Sequence, residues 1–141
     1  ARTVHESSLS PCVHSILAAK LGDEQRAYEF YLRTARLDLD NYNNDTEDGC
    51  HITSMAGTWM SVVEGFGGMR VKNGQLSFNP FLPEKWQNFS FHINFRNALL
   101  EIKVSAGQVQ INNKSDQEVK VLVYDQEQTV SGNQEFTIYQ H

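Results

Sequence analysis

Hydrophobic positions recur with two different periods along the chain, and the change falls at Gly67-Gly68. Before that point they fall every three to four residues, the spacing of one helix face. Ser10-Pro11 reads as a helix start, with an N-cap hydroxyl and then proline at the first helical position. Val13, Ile16, Leu17 and Leu21 supply its apolar stripe, and Gly22 suits the C-cap. Asp23 caps a second helix, on which Ala27, Phe30, Tyr31, Thr34 and Ala35 share a face. A polar loop rich in Asp and Asn is expected from Asp38 to Gly49. A third helix starts near Ile52 and carries Met55, Ala56, Trp59, Val63 and Phe66 on one stripe, until the glycines break it. Three helices with faces this wide cannot cover one another. They read as part of a larger helical assembly.

After the glycines the period drops to two. Asn73-Gly74, between Met69–Lys72 and Gln75–Phe78, is a two-residue hairpin signal. Pro80 and Pro83 mark a turn. Phe89, Phe91, Ile93 and Phe95 alternate with polar residues, as do Leu100, Ile102 and Val104. Val109 and Ile111, then Val119, Val121 and Val123, then Phe136 and Ile138 complete about seven strands. Short strands with turns between them predict an antiparallel sandwich. The fold class is therefore helices followed by a β-sandwich, divided as residues 1–68 and 69–141.

Composition bounds the function. At 141 residues with 40% hydrophobic and 21% charged positions, the chain is expected to fold. Its net charge of −5 argues against nucleic acid or an anionic membrane as a partner. That charge is uneven. Residues 1–68 hold five Lys/Arg against ten Asp/Glu, whereas 69–141 hold seven of each. No apolar run reaches the ~18 residues of a membrane helix. Two cysteines, Cys12 and Cys50, cannot build a disulfide framework or a four-thiolate zinc site. No signal peptide is visible, and a first residue of Ala rather than Met suggests a processed chain or a piece of something longer.

The chemistry-bearing residues lie in the helical half. Asp48-Gly49-Cys50-His51-Ile52-Thr53-Ser54 leads from a loop into a helix N-terminus, where free N–H groups and the helix dipole favour an anion. Gly49 permits close backbone approach, Thr53 and Ser54 add hydroxyls, and His51 can donate from a ring nitrogen. Together they suit phosphate or sulfate. The same residues also suit ordinary capping by Thr53 or Ser54 beside a packed histidine. His5-Glu6-Ser7-Ser8 offers a second cluster, whose use as a triad depends on tertiary geometry. Its plain alternative is a polar loop entering an N-cap.

Weaker features read as structural. Asp38, Asp40, Asp45, Glu47 and Asp48 lack the spacing of a calcium loop. His5, His14 and His51 are too scattered for a metal, and Cys12 fits a core thiol. Asn44, Asn88 and Asn113 open Asn-x-Ser/Thr triplets that need a secretory context to matter.

Three longer runs resemble a known family. They are Thr3-Val4-His5-Glu6-Ser7-Ser8-Leu9-Ser10, Tyr31-Leu32-Arg33-Thr34-Ala35-Arg36-Leu37-Asp38-Leu39-Asp40-Asn41-Tyr42 and Asp48-Gly49-Cys50-His51-Ile52-Thr53-Ser54-Met55-Ala56-Gly57-Thr58-Trp59. With Gly65-Phe66-Gly67-Gly68-Met69-Arg70 and Leu76-Ser77-Phe78-Asn79-Pro80-Phe81-Leu82-Pro83, they resemble the C-terminal part of glycoside hydrolase family 65. This is a family of maltose, kojibiose, nigerose and trehalose phosphorylases. Cys50 departs from the Leu expected there, which alters packing more than chemistry.

The resemblance implies the last helices of an (α/α)6 catalytic barrel followed by a small antiparallel β-sandwich. It implies an inverting phosphorylase that converts an α-glucosidic disaccharide and phosphate into β-glucose 1-phosphate and a free sugar. The substrates would be the disaccharide and inorganic phosphate, with no metal or organic cofactor. The partners would be the rest of the barrel and a second copy in a cytoplasmic homodimer. The general acid Glu would lie upstream, so this chain alone would be inactive. By motif position His51, Thr53, Ser54 and Ser8 would hold phosphate, and Glu6 would line the same end near sugar or phosphate. The alternative is a non-catalytic helical and β-sandwich module that binds carbohydrate or scaffolds.

Overall fold

The computed structural model describes residues 7–40 and 49–139, divided into two compact units at Phe66–Gly67. The first is helical: α1 (Ser10–Lys20), α2 (Glu24–Ala35), α3 (Leu37–Asp40), α4 (Ile52–Met60) and a π-helical segment, Ser61–Phe66. Ser10 is not the N-cap of α1. The cap is Leu9, because the Ser7 carbonyl accepts from Ser10 N–H and the Ser7 hydroxyl accepts from Leu9 N–H, so the helix opens one residue early. The C-terminus follows the sequence. Gly22 N–H donates to the Ala19 carbonyl and Asp23 N–H to the Ala18 carbonyl, a Schellman closure that needs the positive φ of 78° at Gly22. Asp23 then caps α2 by accepting from Arg26 N–H at 3.1 Å.

One further expectation fails in this unit. Asp38 to Asp40 are helical rather than loop, because Leu37 is buried and Arg36 grips Asp40 through two 2.6 Å hydrogen bonds. The apolar stripes of α1 and α4 face outward, in keeping with faces too wide to cover one another. Val13, Leu17 and Leu21 of the first stripe are exposed, as are Ile52, Met55 and Trp59 of the second. The helices instead meet through small residues. Ser15 donates to the Ala27 carbonyl at 2.8 Å, and Gly57 lies against Cys12 and Thr34. The π-helical end turns its part of the third stripe inward, with Val63 and Phe66 fully buried and Phe66 against the rings of Tyr28 and Tyr31.

The second unit has eight strands: β1 (Arg70–Lys72), β2 (Gln75–Phe78), β3 (Asn88–Phe95), β4 (Ala98–Ser105), β5 (Gln108–Asn113), β6 (Val119–Val123), β7 (Gln126–Val130) and β8 (Glu135–Tyr139). They form two sheets, ordered β1-β2-β6-β7 and β3-β4-β5-β8. The register places Phe91, Ile102, Ile111 and Phe136 in one row across the second sheet. Phe78 of the first sheet reaches Phe91 of the second, with ring centroids 6.3 Å apart. Asn73-Gly74 makes the expected hairpin with both residues at positive φ. The sheets are not wholly antiparallel, since β2 and β6 run parallel with Leu76 opposite Val121. The strand missed by pattern is β7, whose Gln-Glu-Gln-Thr-Val holds a single buried residue.

Candidate functional site

His51 stands at the N-cap position of α4, but its side chain does not cap that helix. It turns to α3. Its Nδ1 lies 2.6 Å from Asp38 Oδ1, and its backbone N–H donates to the same carboxylate at 3.1 and 3.2 Å. An ionised carboxylate only accepts, so the ring proton in this contact sits on Nδ1. These bonds, the ring hydrogen bond foremost, hold the Asp38 carboxyl below the usual range. Both side chains are part-buried, at 20% and 26% exposure, which leaves the pair within reach of a small ligand.

The first turn of α4 supplies the other groups. The Ser54 and Met55 N–H groups donate to the His51 carbonyl, whereas those of Ile52 and Thr53 precede the first intrahelical acceptor. Thr53 is exposed. Ser54 is buried, and its hydroxyl donates to the Ser8 carbonyl at 3.2 Å. That bond ties the α4 terminus to the turn before α1. Ser8 itself is half-buried. Four of the five residues singled out from sequence are thereby linked, with His51, Thr53 and Ser54 in one helix start and Ser8 joined to Ser54. Glu6 lies outside the described residues, as do His5, Asp45, Glu47 and Asp48.

The second residue of the His51 pair was not legible in the sequence. Asp38 stood in an acidic run that reads as solvated, and nothing in a 13-residue separation marks it as a partner. The remaining candidates have local roles. Cys12 is buried, donates to the Leu9 carbonyl and has its thiol pKa pushed up by burial. His14 bonds back to Ser10 one turn earlier. Cys50 is a free, exposed thiol. Among the described residues no three His, Cys, Asp or Glu side chains gather as a metal would require, and no helix is long and apolar enough to cross a membrane.

Comparison with known proteins assigns both units to one source. Residues 1–60 match the model of the glycosyl hydrolase family 65 central catalytic domain, and residues 69–130 that of the family's C-terminal domain. Maltose phosphorylase of Bacillus subtilis is 53% identical over 130 residues, 92% of this chain. The α,α-trehalose phosphorylase of Geobacillus stearothermophilus is 43% identical over 122 residues, 86% of the chain. A solved structure described as a kojibiose phosphorylase from the human microbiome superposes with a TM-score of 0.90 at 41% identity over 99% of the chain. The chain spans 17%, 16% and 20% of the lengths of these three proteins.

Proposed function

The chain belongs to glycosyl hydrolase family 65, and from that premise we propose that it is the C-terminal part of an inverting disaccharide phosphorylase. Its helices would close an (α/α)6 barrel, and its sheets would form the small domain that follows it in the chain. The enzyme would take an α-glucosidic disaccharide and phosphate to β-glucose 1-phosphate and a released sugar. In an inverting reaction a carboxylic acid protonates the leaving oxygen while the nucleophile attacks from the opposite face. Phosphate here replaces the activated water, and the acid comes from the part of the barrel outside this chain. The 141 residues alone are then inactive.

The observation that carries the reading is the start of α4. The Ile52 and Thr53 N–H groups and the exposed Thr53 side chain stand at one helix N-terminus, a ready anion site, with the His51 ring held beside it by Asp38. Ser54 and Ser8 complete it, joined by a hydrogen bond that fixes the wall of the site. Glu6 would line the same barrel end. The outward stripes of α1 and α4 suit packing against further barrel helices.

The test is His51→Ala in the full-length enzyme. A hydrogen bond to a charged group is worth about 1.5–3 kcal/mol, so the phosphate KM should rise, or kcat/KM for phosphate fall, roughly 10- to 100-fold. Disaccharide affinity should change far less. Unchanged phosphate kinetics in a variant that melts like the wild type would remove His51 from the site.

A further inference from the structure

An imidazole that meets a phosphate has to present a defined nitrogen to it, and it has to be held while doing so. The contact between α3 and α4 supplies both conditions. We propose that Asp38 is the positioning residue of the phosphate site, fixing His51 in one orientation and one tautomer so that the ring meets phosphate through Nε2. The inference rests on the phosphate-site reading above and assigns Asp38 no contact with substrate.

The geometry is specific. One carboxylate engages the His51 backbone N–H with both oxygens and the His51 ring with one of them. Flipping the ring would put a carbon where Nδ1 sits and lose the 2.6 Å bond, so the carboxylate selects the orientation. With Nδ1–H committed to Asp38, any hydrogen bond from this ring to an anion runs through Nε2. Neutral imidazole carries only a lone pair there, which suits a P–OH group. Imidazolium carries a hydrogen there, which suits a fully ionised phosphate oxygen. The two are limiting forms of one shared hydrogen, and a carboxylate on the opposite nitrogen favours the second. The other acidic side chain of α3, Asp40, is engaged by Arg36 through two bonds and does not duplicate this role. The bond from Asp38 also reaches across 13 residues of chain, so it places the helix start as well as the ring.

The experiment uses the full-length phosphorylase with Asp38→Asn, Asp38→Ala, His51→Ala and the double variant Asp38→Ala/His51→Ala. Asparagine matches the size of Asp38 but lacks its charge, and its amide can turn a donor toward Nδ1 and impose the wrong tautomer. Both Asp38 variants should raise the phosphate KM about tenfold, the loss of one charge-assisted hydrogen bond, with disaccharide KM nearly unchanged. Because Asp38 acts through His51, the double variant should be no worse than His51→Ala alone. Nitrogen-15 spectra of histidine-labelled enzyme without phosphate should show His51 as the Nδ1–H tautomer in the wild type and a tautomer mixture in Asp38→Asn. A phosphate effect of His51→Ala without any in the Asp38 variants would overturn the inference and leave the phosphate site standing. So would fully additive losses in the double variant, which are the mark of a separate structural role. Unchanged phosphate kinetics in every variant would instead remove the site itself.

Discussion

Asn113, at the end of β5, is fully buried, and both ends of its amide are used. Nδ2 donates to the Gln117 carbonyl at 2.6 Å and to the Val130 carbonyl at 3.3 Å, while Oδ1 accepts from Ser115 N–H at 3.1 Å. One side chain thus stitches the β5–β6 loop to the end of β7. Asn113→Ala should cost about 2–3 kcal/mol, since it removes three hydrogen bonds and strands the buried Val130 carbonyl, and Asn113→Asp should cost more by turning an acceptor toward two carbonyls. Chemical denaturation of the purified variants measures both, and a loss within about 0.5 kcal/mol, the range of ordinary surface changes, would show the amide to be dispensable. The same residue opens a glycosylation triplet, yet its burial closes it to any glycan. The sequence shows the triplet and hides the burial, just as it shows Asp38 among acidic neighbours and hides the His51 ring beside it. A motif fixes which groups are present. Only tertiary pairing fixes which of them are already engaged.

At the level of elements, periodicity locates a stripe but not what covers it. The stripes on α1 and α4 lie where the spacing puts them, and their large residues stay exposed because the two helices approach each other through the opposite, small-residue faces. The spacing of Ser54, Gly57 and Ser61, all buried, is the second signal on α4. It is faint because small residues contribute little to a hydrophobic pattern. The contact is tight at Gly57, where an added Cβ would stand 2.9 Å from the Cys12 Cβ and 3.1 Å from its sulfur. Glycine to alanine inside a helix normally stabilises by roughly 0.5–1 kcal/mol. Here overpacking, typically about 1–3 kcal/mol, should win, because the opposing Cβ is fixed to the α1 backbone and cannot swing aside. Gly57→Ala should therefore lower the melting midpoint by several degrees. A higher midpoint would mean that α1 and α4 slide apart freely. In the other unit, alternation marked every strand with a buried face, and the hairpin at Asn73-Gly74 was legible from its two residues alone. What escaped was β7, polar along most of its length, and the Tyr124-Asp125 turn before it, which takes positive φ without a glycine.

For the whole chain, the exposed apolar residues of the helical unit decide its behaviour in isolation. Leu9, Val13, Leu17, Leu21, Leu39, Ile52, Met55, Trp59 and Met60 are all at least 36% exposed within one small unit. Scattered apolar residues are ordinary on a protein surface, but contiguous stripes on two neighbouring helices mark a face that another surface covers. In the proposed barrel that surface is further helices. Without them the chain should bury the stripes against copies of itself, because a net charge of −5, carried by residues 1–68, repels too weakly at ordinary salt to oppose apolar burial. Sedimentation velocity over a range of concentrations should show a reversible rise in mean mass. Leu17→Glu with Trp59→Glu should abolish it by placing charge on both stripes, whereas Val71→Glu, on an equally exposed apolar residue of β1, should leave it unchanged. Salt discriminates the cause: apolar association should persist or strengthen as ionic strength rises, and a charge-driven one should fade. A single monomeric species at every concentration would mean that the stripes are covered within the chain, and the argument that they await the rest of a barrel would fall with it.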